Sequence, residues 1–281
     1  MAETVLITGC RSGFGLGTAV AAARAGFTVY AGLRDLGTAG ELERAAAGLP
    51  VIPVQLDVTR GEEREAAVAR ILEEQGRLDG LVNNAGVALG GFLEQVEEDE
   101  LRRVFEVNVF GAWGMTRACI PAMRRGGGGT VVMVSSMSGR ISLPTLGVYA
   151  GSKFALEGIS EAWRHELKPF GIRVVIVEPG AYRTDIFERN RQLCRRAGDP
   201  DGPYAAYMES ADRLHRAVVS RLARDPAEVC ALLVELLQAR NPGFRHPVGP
   251  LAKPRDFLRQ LIPFGINEAL MQRLLKWARR G

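Results

Sequence analysis

Thr8-Gly9-Cys10-Arg11-Ser12-Gly13-Phe14-Gly15 follows the β-branched run Thr4–Thr8 and opens directly into an alanine-rich stretch. A strand that ends in a glycine-rich turn and restarts as a helix puts bare backbone N–H groups at a helix N-terminus, where an anion such as a phosphate is accommodated. The spacing is G-x-x-x-G-x-G. It differs from the usual dinucleotide fingerprint, and a glycine turn alone also suits a simple tight bend. Working outward, short β-branched runs at 28–33, 51–55, 80–83, 130–135 and 173–178, with a short extended piece at 245–248, alternate with amphipathic stretches at 15–25, 60–74, 98–124, 149–170 and 226–239. That alternation predicts an α/β fold: one doubly wound parallel sheet covered by helices on both faces, in a single domain over 1–281. The glycines at 126–129 are too short a run for a linker and are expected to form a turn.

Two segments leave the alternation. Over 185–222 charged residues mix with Phe187, Tyr204, Tyr207 and Met208 along a Gly/Pro-containing stretch. It follows the sixth strand, where insertions in open α/β sheets build binding walls, so a substrate lid made of loop is expected there. The tail over 250–281 carries Ile266, Leu270, Leu274 and Trp277 at helical spacing beside Arg273, Lys276 and Arg280. This gives a helix with one apolar and one basic face, expected to pack back on the domain near the lid, with docking to a partner subunit or an anionic membrane surface as the alternative.

Composition narrows the classes further. The net charge of +4 comes largely from the end, where 237–281 holds nine Lys or Arg against two Asp or Glu. The basic end has no finger, basic-zipper or aromatic stacking spacing, so no nucleic-acid partner is expected and membrane contact is peripheral at most. Cys10, Cys119, Cys194 and Cys230 lie far apart, and no leader precedes Val5-Leu6-Ile7. Both features predict a reducing, cytoplasmic compartment. His165, His215 and His246 have no zinc-ligand spacing, and no metal is expected.

Beyond the glycine turn, the chemistry is carried by Leu56-Asp57-Val58, Asn83-Asn84-Ala85-Gly86, Asn108, Ser136 and Tyr149-Ala150-Gly151-Ser152-Lys153. In this order and at these separations, over residues 5–184, the set resembles the short-chain dehydrogenase/reductase family, whose fold is Rossmann-like. The run from Val148 to Gly158 is similar to the hydroxysteroid and retinol dehydrogenase branch. Tyr149 and Lys153 stand at i and i+4, on one face of a helix. A free phenol titrates at about 10, and a nearby ammonium is expected to lower it toward neutrality. The resemblance makes Tyr149 the general acid in reduction and the base in oxidation. It makes Ser136 the hydroxyl that holds the substrate oxygen, with Ser135 and Ser138 as competitors, and Asn108 the holder of a water in a proton relay.

By the same resemblance Lys153 also binds the nicotinamide ribose, alongside Tyr149. Gly9, Arg11, Ser12, Gly13, Phe14 and Gly15 cradle the pyrophosphate, Asp57 and Val58 meet the adenine, and Asn84, Ala85 and Gly86 line the cofactor. Pro179, Gly180, Tyr182 and Thr184 hold the carboxamide. The cofactor is expected to be NADP(H), because Arg34 closes the second strand where the adenosine ribose arrives and Arg11 sits in the turn. Asp35 is the competing reading, since a carboxylate at the ribose would favour NAD(H). The implied reaction is hydride transfer between nicotinamide and a carbonyl or secondary alcohol of a lipophilic small molecule, in a homodimer or homotetramer paired through the long helices 98–124 and 149–170. A non-catalytic NADP(H)-binding regulator or scaffold of the same fold is the alternative class, which a turnover assay separates.

Overall fold

The computed structural model describes residues 2–184, 192–199 and 201–250, with residues 252, 265, 266, 268, 269, 272 and 273 beyond them. In chain order the elements are β1 (Thr4–Thr8), α1 (Gly13–Arg24), β2 (Thr28–Leu33), α2 (Gly40–Ala45), β3 (Val51–Gln55), α3 (Gly61–Gln75), β4 (Gly80–Asn83) and β5 (Leu89–Gly90). Then come α4 (Glu98–Phe105), a π-helical turn Glu106–Gly111, α5 (Ala112–Arg125), β6 (Gly129–Val134), α6 (Gly147–Glu166) and β7 (Ile172–Pro179). The last are β8 (Gln192–Leu193), α7 (Ala205–Leu222), α8 (Ala227–Gln238) and β9 (Arg245–Val248).

Seven strands form one parallel sheet in the order β3-β2-β1-β4-β6-β7-β9, while β5 and β8 pair separately. This is the Rossmann-like doubly wound sheet that the alternation predicts. The strands are apolar on both sides because helices cover both faces. Val5, Ile7, Val132, Val134, Val175 and Val177 point into the layer shared with α1 and α8. Leu6, Val131, Met133, Val174 and Ile176 point the other way, toward residues of α3, α5 and α6. Burying each such side chain contributes about 1.5–3 kcal/mol, so the period-two alternation fixes the register of the sheet.

Two expectations are corrected. The helix expected over 98–124 is interrupted by the π-helical turn. Hydrophobic periodicity spans this inserted residue without revealing it. The loop expected over 185–222 contains the 18-residue helix α7. Tyr204, Tyr207 and Met208 stand at i, i+3 and i+4, which is helical spacing. Residues 185–191, including Phe187, lie outside the described residues. Of the tail, residues 265, 266, 268, 269, 272 and 273 are helical, with Ile266 60% exposed; Leu270, Leu274, Lys276, Trp277 and Arg280 lie outside the description. Among the described residues no helix is long and apolar enough to cross a membrane, and no cluster of His, Cys, Asp or Glu could hold a metal ion.

Candidate active site

The strand order reverses between β1 and β4, and in such sheets the crevice beyond the carboxyl ends at that point is where ligands bind. The glycine turn, Asn84–Gly86, Ser136 and Gly180 all follow carboxyl ends of neighbouring strands. Arg34 and Asp57 follow the ends of β2 and β3 in the same way.

The turn after β1 is shaped for backbone approach. Gly9 has φ +72°, and a Cβ there would lie 2.8 Å from Ala85 Cα; at Gly15 it would lie 2.2 Å from the Gly9 carbonyl oxygen. Ser12 precedes α1 without a side-chain cap bond, and the first turn of α1 holds no acidic residue. The first N–H groups of a helix have no intrahelical partner, so this end fits an anionic phosphate. Thr184 lies beside Gly13, 3.7 Å from where a Cβ would sit. Arg11 and Arg34 are at the rim, Arg11 exposed and Arg34 just beyond the buried end of β2. The Asp35 carboxylate accepts from Gly37 N at 2.9 Å and caps the short turn Leu36–Thr38.

The strand ends are tied together by Asn84 and by Thr8, to which the sequence reading gave no role. Thr8 Oγ1 accepts from the N–H groups of Asn84 and Ala85 at 3.0 and 2.9 Å. Asn84 Nδ2 donates to the carbonyls of Thr8 and Gly9 at 2.8 and 3.1 Å. Asn84 therefore clamps the glycine turn to β4, and its side-chain amide has work other than lining a ligand. Asp57 Oδ1 is likewise engaged, by the N–H and hydroxyl of Thr59. Val58 is buried against Gly111. Gly180 N donates to Val248 O at 2.9 Å, which joins the end of β7, where Pro179 sits, to β9. The Tyr182 ring is in the core against Phe14, with centroids 5.6 Å apart, and its hydroxyl donates to Glu228. Only its backbone can face a ligand.

Four residues converge where β4 and β6 end. Ser136 caps the short turn Met137–Gly139 and bonds the Tyr149 hydroxyl, whereas Ser135 has its N–H on Val177 and its hydroxyl buried without a partner. Ser138 contributes its N–H to Ser136 Oγ at 3.0 Å. Geometry thus brings Ser136, of the three serines, to the phenol. Lys153 is buried on α6 and donates to Val134 O at 2.9 Å, with Nζ 5.7 Å from the Tyr149 ring centroid. Asn108 sits in the π-helical turn, accepting from Val87 N at 2.8 Å and donating to Val87 O at 2.9 Å and Ser152 Oγ at 3.0 Å. Gly86 is close by, its Cβ direction 3.3 Å from Asn108 Oδ1 and 3.8 Å from Lys153 Nζ.

The electrostatics correct one expectation. Burial pushes the Tyr149 phenol up to about 12, against a smaller pull from the Ser136 hydrogen bond. Burial also draws the Lys153 ammonium down to about 8, opposed by the charge of Glu157. The i,i+4 spacing alone suggests a lowered phenol, but desolvation of the whole pocket outweighs it. Glu157, four residues beyond Lys153, was not singled out from the sequence, although the spacing that pairs Tyr149 with Lys153 also points to it.

Residues 3–194 match the family model described as short chain dehydrogenase. The chain is 39% identical over 277 residues to human 17-beta-hydroxysteroid dehydrogenase type 1, covering 95% of this chain and 84% of that protein. It is 35% identical over 275 residues to retinol dehydrogenase 8 of Bos taurus, covering 94% and 86%. Among solved structures, a short-chain dehydrogenase/reductase from Burkholderia phymatum in complex with NAD superposes with a TM-score of 0.79 at 28% identity, covering 92% of this chain and 93% of that one. With the parallel sheet, the glycine turn and the Ser-Tyr-Lys convergence already in place, the chain belongs to the short-chain dehydrogenase/reductase family, in the branch that includes hydroxysteroid and retinol dehydrogenases.

Proposed function

We propose that this oxidoreductase moves a hydride between NADP(H) and a carbonyl or secondary alcohol carbon of a lipophilic small molecule. The observation that carries the reading is the Ser136–Tyr149 hydrogen bond beside the buried Lys153 at the carboxyl edge of the sheet. Bound NADP(H) supplies or takes up the hydride. The turn Gly9–Gly15, with Arg11 and Ser12–Phe14, holds the pyrophosphate; Asp57 and Val58 border the adenine; Asn84–Gly86, Pro179, Gly180, the Tyr182 backbone and Thr184 border the nicotinamide half. Lys153 has two ammonium protons beyond the one on Val134, and these would hold the ribose hydroxyls of a bound cofactor.

Ser136 and Tyr149 hold the substrate oxygen between two hydroxyls. In reduction Tyr149 gives its proton to that oxygen, and in oxidation it takes one back. A phenol near 12 resists ionisation, so the Lys153 charge is what makes the developing phenolate tolerable in a dry pocket. Asn108, bridging Val87 and Ser152, fixes the backbone behind this pair and completes the relay to solvent.

Preference for NADP(H) over NAD(H) is supported by the occupation of Asp35 in capping its own turn, which leaves the Arg34 and Arg11 guanidiniums to meet a 2′-phosphate. A wall over the substrate is supported by Tyr204, whose hydroxyl donates to Glu94 at 2.7 Å and whose ring stacks on Phe92 at 4.4 Å. Close to it Leu89, Val104, Val148 and Met208 form an apolar cluster suited to a lipophilic substrate. A homodimer or homotetramer is supported by Leu101, Phe110, Trp113 and Phe154, which are 39–54% exposed on α4, the π-helical turn, α5 and α6. The four buried free thiols suit a cytoplasmic setting.

The test is cofactor oxidation by the purified protein over carbonyl compounds of increasing size, with Tyr149→Phe alongside. Turnover should fall about 100-fold or more in the variant while NADPH affinity stays within about threefold. Near-normal turnover by Tyr149→Phe would overturn the assignment.

A further inference from the structure

Behind the site two carboxylates are withdrawn from solvent. Glu157 is one turn beyond Lys153 on α6 and 5% exposed; Glu178 is fully buried near the end of β7. Buried carboxylates need counter-charges, and these come from distant segments. Arg245 on β9 reaches Glu157 and Glu178 with one nitrogen, at 3.0 Å to Glu178 Oε1, and Glu161 with another at 3.2 Å. Arg140, after the turn that carries Ser136, lies 3.7 Å from Glu178 Oε1. One oxygen of each buried acid, Glu157 Oε1 and Glu178 Oε2, has no hydrogen-bond partner. Gly139 closes over Glu157: a Cβ there would lie 3.0 Å from its Oε1.

Two acids that share one guanidinium in a dry site do not ionise alike. Burial and the neighbouring Glu157 push the Glu178 carboxyl up to about 7. Facing Glu157 are Lys153 and Glu161 on its own helix, Glu178 from β7 and Arg245 from β9, with Arg140 reaching the cluster through Glu178. On the other side of Lys153 are the neutral Val134 carbonyl and the Tyr149 ring.

We propose that Glu157, fixed by Arg245 and set against Glu178, is a positioning residue that keeps the buried Lys153 ammonium charged. Glu157 touches neither substrate nor cofactor and acts through Lys153. Its significance for turnover rests on the reading of Lys153 given above, but the charge of Lys153 can be measured without turnover.

The chain has four lysines, Lys153, Lys168, Lys253 and Lys276, so lysine labelled with carbon-13 at Cε gives four NMR signals. Lys153→Arg assigns the one of interest, and the full-length protein is titrated from about pH 6 to about pH 11. In Glu157→Gln the midpoint of Lys153 should fall by about half a unit or more, because an opposing charge is gone and burial is not. Loosening of the structure would move it the other way, toward the solvent value. Glu161→Gln, which touches the same arginine from the exposed side, should leave it in place. Glu178→Gln leaves Glu157, the acid whose charge bears on Lys153, in place and should hold the midpoint, which also serves if Glu157→Gln fails to fold. An unchanged or raised midpoint in Glu157→Gln, or a fall in Glu178→Gln, overturns the proposal. If no carbonyl compound is turned over while these shifts are found, the reaction assignment fails and the role of Glu157 stands.

Discussion

Replacing Asn108 with alanine separates two things that one side chain is assigned. The amide is 1% exposed and makes three hydrogen bonds, two of them to the backbone of Val87 and one to Ser152 Oγ. Alanine leaves the Val87 N–H and C=O without their partner. Leaving such a group unsatisfied costs about 1–3 kcal/mol, and Val87 is only half-buried, so water recovers part of it. The expected loss is about 2–4 kcal/mol. For a chain of this size that lowers Tm by about 5–15 °C. Urea denaturation followed by circular dichroism reads it as a lower midpoint with an unchanged slope, which locates the effect in stability rather than in the unfolded state. Ser152→Ala, which removes a single partner of the same amide, should cost about 1 kcal/mol. A loss below about 0.5 kcal/mol in Asn108→Ala, together with a large fall in turnover, would refute the structural reasoning and leave only the relay.

The same geometry sets two further outcomes. Arg34→Ala should weaken NADP(H) binding about tenfold or more while leaving NAD(H) within about twofold, as measured by fluorescence titration of both cofactors, since a guanidinium–phosphate contact is charge-assisted; tighter NAD(H) binding by the unaltered protein contradicts the assignment. Phe110→Glu, in the exposed apolar face of α4 and the π-helical turn, should shift sedimentation toward monomer at micromolar concentration, and an unaltered protein that sediments only as monomer removes the oligomer from the proposal.

The sheet was legible because its strands are apolar on both sides. β1 to β4 match the β-branched runs in the sequence, and such runs record burial directly. The interruption after Phe105 was not legible, because one extra residue in a helical turn leaves the amphipathic pattern intact on both sides. α7 was hidden by its charges, which place polar residues between Tyr204, Tyr207 and Met208 and the rest of the chain's apolar pattern. At the site, the family resemblance pointed to Tyr149, Lys153, Asn108 and Ser136, and the backbone turn at 137–139 gives the physical reason that Ser136, rather than Ser135 or Ser138, meets the phenol. Tyr182 shows the opposite limit. Its position after β7 is visible in the sequence, but its burial depends on Glu228, 46 residues away. Arg245 bonds to acids 67 and 88 residues distant, a separation at which local patterns carry no information.

The burial that makes the pocket dry acts on Tyr149 and Lys153 in opposite senses, and this sets what the rest of the fold must supply. Desolvation keeps the phenol protonated and strips the ammonium, so on its own it drives both groups to neutrality. A neutral lysine could not stabilise the charge that appears on the phenol oxygen when Tyr149 gives up its proton. The same low dielectric that causes the difficulty also strengthens any charge placed within reach. In the proposed reaction the signs would alternate from the surface inward: Arg245 positive, Glu157 negative, Lys153 positive, and then the tyrosine oxygen that turns negative as the proton leaves. Each charge is held by the one before it. Burial and the charge of Glu157 raise the Glu178 carboxyl, which shares the same arginine. In the proposed reaction β9 would act on the chemistry from outside the crevice, since Arg245 holds Glu157, one turn beyond Lys153.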